Sequence, residues 1–355
     1  MENKGYSLSA QTFKYWEIFL SWVFKYPSRC FALNQQKESY TFANQSDELY
    51  RFAQSYRANT PSKGIICSVT PKFKDIDRAS NILELIYHSI KDPQLCELAA
   101  CEVMAKVVAY RNLKMGHTLP FPILSADGTI QMRTYVVDQV FDLWNKIRAF
   151  GLSCSEDKGA PLLLFRGTDF SFMTEGGRAS IISDLDPKGP GRTLFEKAEK
   201  PLHEWLKKQT RKTRIIGHSL GGIILAYTLL YEAEYISQEP HETSYAFNFP
   251  GVGGDLVKKW EKLEETPQFK GFVCRGDVIS KLGMLFGEVF EVSFNQPLSP
   301  IRAHEQLLFA QPLFHLQEID LQQENASSSR QFYSKLQKQT SSVIYDFGLK
   351  FLFPN

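Results

Sequence analysis

The residues best placed to do chemistry form the run Gly217-His218-Ser219-Leu220-Gly221-Gly222. A serine held between glycines on a tight strand-to-helix turn has its Oγ standing clear of the backbone. A serine hydroxyl is a weak nucleophile at neutral pH. It needs a base within hydrogen-bond reach and a carboxylate to orient that base. In one common arrangement the acid and then the histidine follow the serine along the chain, each at the end of a strand. His241, His304 and His315 are the histidines beyond Ser219. His241 follows Pro240 in a polar loop and comes too early. His304 follows a loop containing Pro297 and Pro300, whereas His315 lies in Leu313-Phe314-His315-Leu316, where a packing role fits better. His304 is therefore the favoured base and His315 its alternative. Asp277 leaves an apolar stretch directly into a loop and is the favoured acid. Asp255 reads as a helix cap, and Asp184 and Asp186 precede the serine. An oxyanion would be met by the Leu220 amide, at the positive end of a helix, and by Thr168 after an earlier strand.

Several elements must position these groups. Thr213-Arg214-Ile215-Ile216 reads as a short buried strand, and residues 223–231 as a buried helix. Residues 161–165, 244–249, 269–274 and 288–294 read as further strands, and 191–208 and 255–265 as helices. The segment from 77 to 113 has helical spacing, with Asp92-Pro93 opening its second helix. Pro120 and Pro122 are expected to end it. Residues 136–150 are expected to form an amphipathic helix, with Val140, Leu143, Trp144 and Ile147 on one side. Residues 27–75 suggest no element. Alternating strands and helices imply an α/β fold: a mainly parallel sheet with helices on both faces, preceded by a largely helical N-terminal extension. The expected organisation is an extension over 1–130, a core over 131–316, and a polar linker with an apolar tail over 317–355.

The chain has 355 residues, 43% of them hydrophobic, and a net charge of +2, enough for a sizeable core. The basic residues are scattered rather than striped, which argues against a nucleic-acid partner. Cys30, Cys67, Cys96, Cys101, Cys154 and Cys274 show no metal-site spacing and suggest thiols in a reducing compartment. No basic leader followed by an apolar run begins the chain, so a cytoplasmic location is expected, or export by a specialised bacterial route. The aromatic stretch 13–24 suggests a helix docked on the core rather than in a membrane, since it lacks a basic face.

Phe165-Arg166-Gly167-Thr168, the serine motif, Phe249-Pro250-Gly251-Val252-Gly253, Gly276-Asp277-Val278-Ile279 and His304 together resemble the class 3 lipases in motif and order. The resemblance runs from about residue 162 to 304. It implies the α/β-hydrolase fold and hydrolysis of carboxylic esters of lipids without metal or cofactor. Ser219 would be the nucleophile, Asp277 the orienting acid, His304 the base, and Thr168 with Leu220 the oxyanion hole. The resemblance also implies a lipid or acyl-ester substrate, transient contact with a lipid interface, and a lid over 169–182 hinged at Gly176-Gly177. The chain departs from the family pattern at Asn248, before the Pro250-Gly251-Val252 loop, and in a short interval from Asp277 to His304. Phospholipase A and acyltransferase activities fit the same motifs. The competing class is a non-catalytic scaffold that binds lipid or protein.

Overall fold

A computed structural model describes residues 39–43, 49, 51, 76–144, 147–156, 159–167, 189–277 and 279–327. In chain order, strand β1 (Ser39–Ala43) is followed by helices α1 (Ile76–Ser89) and α2 (Pro93–Lys106) and by strands β2 (Thr118–Leu124), β3 (Ile130–Trp144), β4 (Ile147–Cys154) and β5 (Leu162–Phe165). Next come α3 (Arg192–Leu206), β6 (Arg214–His218), α4 (Leu220–Tyr231), β7 (Ser244–Phe247), α5 (Gly254–Trp260) and β8 (Phe269–Cys274). The described chain closes with β9 (Glu288–Ser293), α6 (Pro300–Glu305), β10 (Leu313–Glu318) and α7 (Leu321–Ala326).

All these strands join one sheet in the order β1-β10-β9-β8-β7-β6-β5-β4-β3-β2. Neighbours from β5 to β9 run parallel. The wings, β2 to β5 on one side and β9-β10-β1 on the other, are antiparallel. The chain thus has an α/β fold, but its sheet is mixed instead of mainly parallel. Five residues separate β2 from β3 and two separate β3 from β4, and links that short permit only antiparallel pairing.

Residues 136–144 and 147–150 belong to β3 and β4, not to a helix. Tyr135, Val136, Val137, Val140 and Phe141 suit a pleated surface. Register shifts between Val137 and Gln139 and between Asp142 and Trp144 break the strict alternation, so the apolar spacing imitates a helical one. Pro120 and Pro122 lie inside β2, at one end of the sheet, where a missing N–H donor is tolerated. β1 supplies an element within residues 27–75. Asp255 is inside the first turn of α5, whose cap is Gly253.

Strand residues alternate between two apolar layers, as the period of two demands. Leu162, Leu164 and Ile216 face the layer under α1 and α2. Leu163, Phe165 and Ile215 face the layer under α3 and α4. The helices before residue 107 therefore cover one face of the same sheet whose other face α3 and α4 cover. Asp92 caps α2 by accepting from the Leu95 amide at 2.8 Å. This helix is buried nearly all round, so its Glu97, Glu102 and Lys106 are enclosed and need partners. Glu97 finds one in Arg214 at the start of β6, 2.7 Å away. Cys96, Cys101, Cys154 and Cys274 are free thiols, and burial pushes Cys96 up to about 12. No helix among the described residues is long and apolar enough to cross a membrane. The segments 13–24 and 169–182 lie outside the described residues.

Candidate active site

Ser219 joins β6 to α4 with φ 55° and ψ −126°, a conformation that L side chains rarely adopt. Its amide donates to the Phe247 carbonyl of the neighbouring strand at 3.0 Å, so the sheet itself holds the bend. The flanking glycines are there for space. A Cβ on Gly217 would lie 2.5 Å from the Gly221 carbonyl oxygen, and one on Gly221 would lie 2.6 Å from that of Phe165. Both contacts are with backbone, which has nowhere to go.

His304, in α6, brings Nε2 to 2.8 Å from the Ser219 Oγ. Its Nδ1 is 3.0 Å from Oδ2 of Asp277, just beyond β8. A carboxylate only accepts, so Nδ1 carries the proton and Nε2 is left bare to accept from the serine hydroxyl. Asp277 is buried and collects donors: Asn248 Nδ2 at 2.8 Å and Ser280 Oγ at 2.5 Å on Oδ2, and the Ile279 amide at 2.9 Å on Oδ1. Burial would raise its carboxyl, but the His304 ring and the bonds from His304, Ser280 and Asn248 outweigh that and hold it below its ordinary value. The acid stays ionised where a cationic imidazole would need it.

His218 precedes the serine and is also enclosed. Its Nε2 donates to the His304 carbonyl at 3.1 Å, and its Nδ1 then accepts from the Tyr110 hydroxyl at 3.3 Å. Burial, with His304 and Lys106 nearby, lowers His218 well below the usual histidine value, so it is a neutral brace for α6.

Asn248, held at φ 50°, bridges this triad to the rest of the fold. Its Nδ2 donates to Asp277 and, at 2.9 Å, to the Ala303 carbonyl next to His304. Its Oδ1 accepts from Lys106 at 2.9 Å. Lys106 also donates to Glu102 at 2.8 Å and to the Gln306 carbonyl at 2.7 Å. Glu102 in turn accepts from the amides of Leu308 and Phe309, at 2.7 and 3.0 Å.

The structure thus brings Ser219, Asp277 and His304 together, at the C-terminal side of the parallel strands. Leu220 opens α4 beside them, its amide among those of the first turn that have no acceptor within the helix. Thr168 lies outside the described residues, immediately after Gly167. His315 lies in β10 and bonds Asn295 instead, at 2.9 Å. Lys106, Glu102 and Ser280 carry no mark in the sequence, and His218 stands there only as part of the serine motif, with no role of its own. Asn248 did register, as a departure from an expected pattern.

Fold and site together define an α/β protein with a buried serine–histidine–aspartate chain beyond its parallel strands. No family model matches the sequence, and no curated protein matches it. Among solved structures, a triacylglycerol lipase from Penicillium expansum aligns with 70% of this chain and 88% of its own, at 13% identity and a TM-score of 0.38.

Proposed function

We propose that this chain is a serine hydrolase of the α/β-hydrolase fold that cleaves carboxylic esters of lipids through an acyl-enzyme on Ser219. The observation that carries the reading is the unbroken path from Ser219 Oγ through the ring of His304 to Asp277, with bonds of 2.8 and 3.0 Å. In this mechanism His304 Nε2 takes the hydroxyl proton as Oγ attacks the acyl carbonyl. Asp277 stabilises the imidazolium that forms. The Leu220 amide, with Thr168 as the expected second donor, holds the oxyanion. His304 then passes its proton to the leaving alcohol. Water, deprotonated by the same ring, cleaves the acyl-enzyme and restores the serine.

The strained backbone at Ser219, with Asn248 beside the triad also at positive φ, supports the same reading, because backbone strain clusters at functional sites. The choice of lipid esters, met at a lipid interface, rests on the resemblance of the motif order to the class 3 lipases. The test is labelling by a fluorophosphonate, followed by a panel of triacylglycerols, monoacylglycerols and phospholipids. Labelling that Ser219→Ala abolishes, with hydrolysis of at least one lipid class, is the expected result. A folded wild-type protein that neither labels nor hydrolyses any ester overturns the proposal and leaves a scaffold.

A further inference from the structure

α2 precedes the serine by more than a hundred residues in the chain, yet it reaches the segment that carries His304 at several points. Lys106 holds the Gln306 carbonyl, and Glu102 holds the Leu308 and Phe309 amides. Through Asn248, Lys106 is also tied to the Ala303 carbonyl and to Oδ2 of Asp277. The polarity of this path is fixed. An ammonium only donates, so Asn248 must turn its oxygen to Lys106 and its NH₂ to Asp277 and Ala303, both of which only accept.

Lys106 and Glu102 are each about 1% exposed at the side chain. Enclosing such a pair costs much of what their attraction returns, so stability alone is a weak reason to find it here. What the pair does is hold backbone on both sides of the base. We infer that Lys106, together with Glu102, is a positioning residue: it acts through Asn248 and residues 303–309 to set His304 between Asp277 and Ser219. The inference rests on the reading of Ser219 and His304 as nucleophile and base, and it concerns a helix that the motif-bearing part of the chain does not contain.

The test compares the wild type with the charge-neutral double variant Glu102→Gln/Lys106→Met. Glu102→Gln alone is the second variant. It preserves volume and can keep an acceptor for Lys106 and Leu308, but turns an NH₂ towards the Phe309 amide. Two measurements are made on the full chain: the rate constant and endpoint of fluorophosphonate labelling, and the downfield proton resonance of His304 Nδ1–H. A misplacement of about 1 Å costs about 10²-fold in rate. The expected result in each folded variant is a labelling rate constant about 10²-fold lower at an unchanged endpoint, with the downfield resonance shifted or lost. For a soluble short-chain ester, kcat falls and KM holds.

A reduced endpoint with an unchanged rate constant and resonance means that the pair only supports folding, and it overturns the inference. So do an unchanged rate with an unchanged resonance, and absence of the resonance from the wild type. If the double variant fails to fold, Glu102→Gln decides on the same measurements. If the wild type shows the resonance but never labels, the hydrolase reading fails while the positioning role is still decided: the inference stands if the variants lose the resonance and falls if they keep it.

Discussion

Replacing Asp277 by asparagine separates two things the carboxylate does, because its two oxygens meet different donors. Oδ2 receives His304, Asn248 and Ser280, whereas Oδ1 receives the Ile279 amide. An asparagine with its oxygen at the Oδ2 position strands one donor, the Ile279 amide; the reverse orientation also strands one, Asn248 Nδ2, and in addition forces His304 to move its proton to Nε2 and Ser280 to turn and accept. Each stranded donor costs about 1–3 kcal/mol in either case, so the first orientation, which rearranges no other proton, is the expected one. The proton then stays on His304 Nδ1, and the tautomer that activates Ser219 survives. What is lost is the charge facing the imidazolium. At a separation of about 4 Å and an effective dielectric near 20, that attraction is about 4 kcal/mol. With roughly 1.4 kcal/mol per factor of ten, kcat/KM should fall about 10³-fold. Asp277→Ala removes orientation as well as charge and should fall further, to about 10⁴-fold. The assay is hydrolysis of a soluble short-chain p-nitrophenyl ester, with thermal melts to show that both variants fold. An asparagine variant within tenfold of wild type, or one slower than the alanine variant, refutes the reasoning.

Gly217→Ala sets a Cβ 2.5 Å from the Gly221 carbonyl oxygen and should lower stability by about 1–3 kcal/mol or more; a urea midpoint unchanged from wild type would contradict the steric account. Glu97→Gln leaves the Arg214 guanidinium enclosed without its counter-charge and should cost about 3–5 kcal/mol. Adding Arg214→Met to that variant should recover part of the loss, which a double-mutant cycle measures. His218 is depressed well below its ordinary 6.5, so its contribution to stability is complete above that pH and is lost as pH falls. Glu305, next to the base, is pushed up to about 7 by burial against the pull of His304 and Lys106. Its contribution has the opposite sign, present below its ordinary 4.5 and lost as pH rises through 7. Urea midpoints across this range should therefore lose part of their acid-side decline in His218→Asn and part of their neutral-side decline in Glu305→Gln; identical pH profiles would exclude both assignments.

Much of the sheet's centre was legible because buried parallel strands are short apolar runs ended by glycine or a polar loop. Residues 162–165 and 269–274 show this pattern plainly. The serine turn was legible for a similar reason, since its glycines meet backbone at distances no other residue allows. The antiparallel wing was not. In β3, bulges move the apolar side chains off a period of two, and a window of the sequence then looks helical. Pro120 and Pro122 looked like a stop because only the finished sheet makes β2 an edge.

The support behind the triad was hidden by a different effect. Along α2, Glu102 and Lys106 lie seven and eleven residues after Leu95, on the same side as that apolar residue, while Glu97 lies across from them, so its charges trace no single solvated side. Charged side chains on a helix nearly always are solvated. Here they are enclosed, because their partners come from strands and loops far along the chain: Arg214 is 117 residues from Glu97, and Asn248 is 142 from Lys106. No local pattern encodes such pairs. Asn248 gave a faint signal, an amide where a small residue was expected, beside an apolar strand. A buried amide at that point must both donate and accept, so it requires an acceptor on one side and a donor on the other. The acceptors are Asp277 and Ala303, within the part of the chain that carries the motifs; the donor is Lys106, outside it. The same requirement links the N-terminal helix to the base, and it makes α2 part of what holds the site in register instead of a cover laid over a finished core.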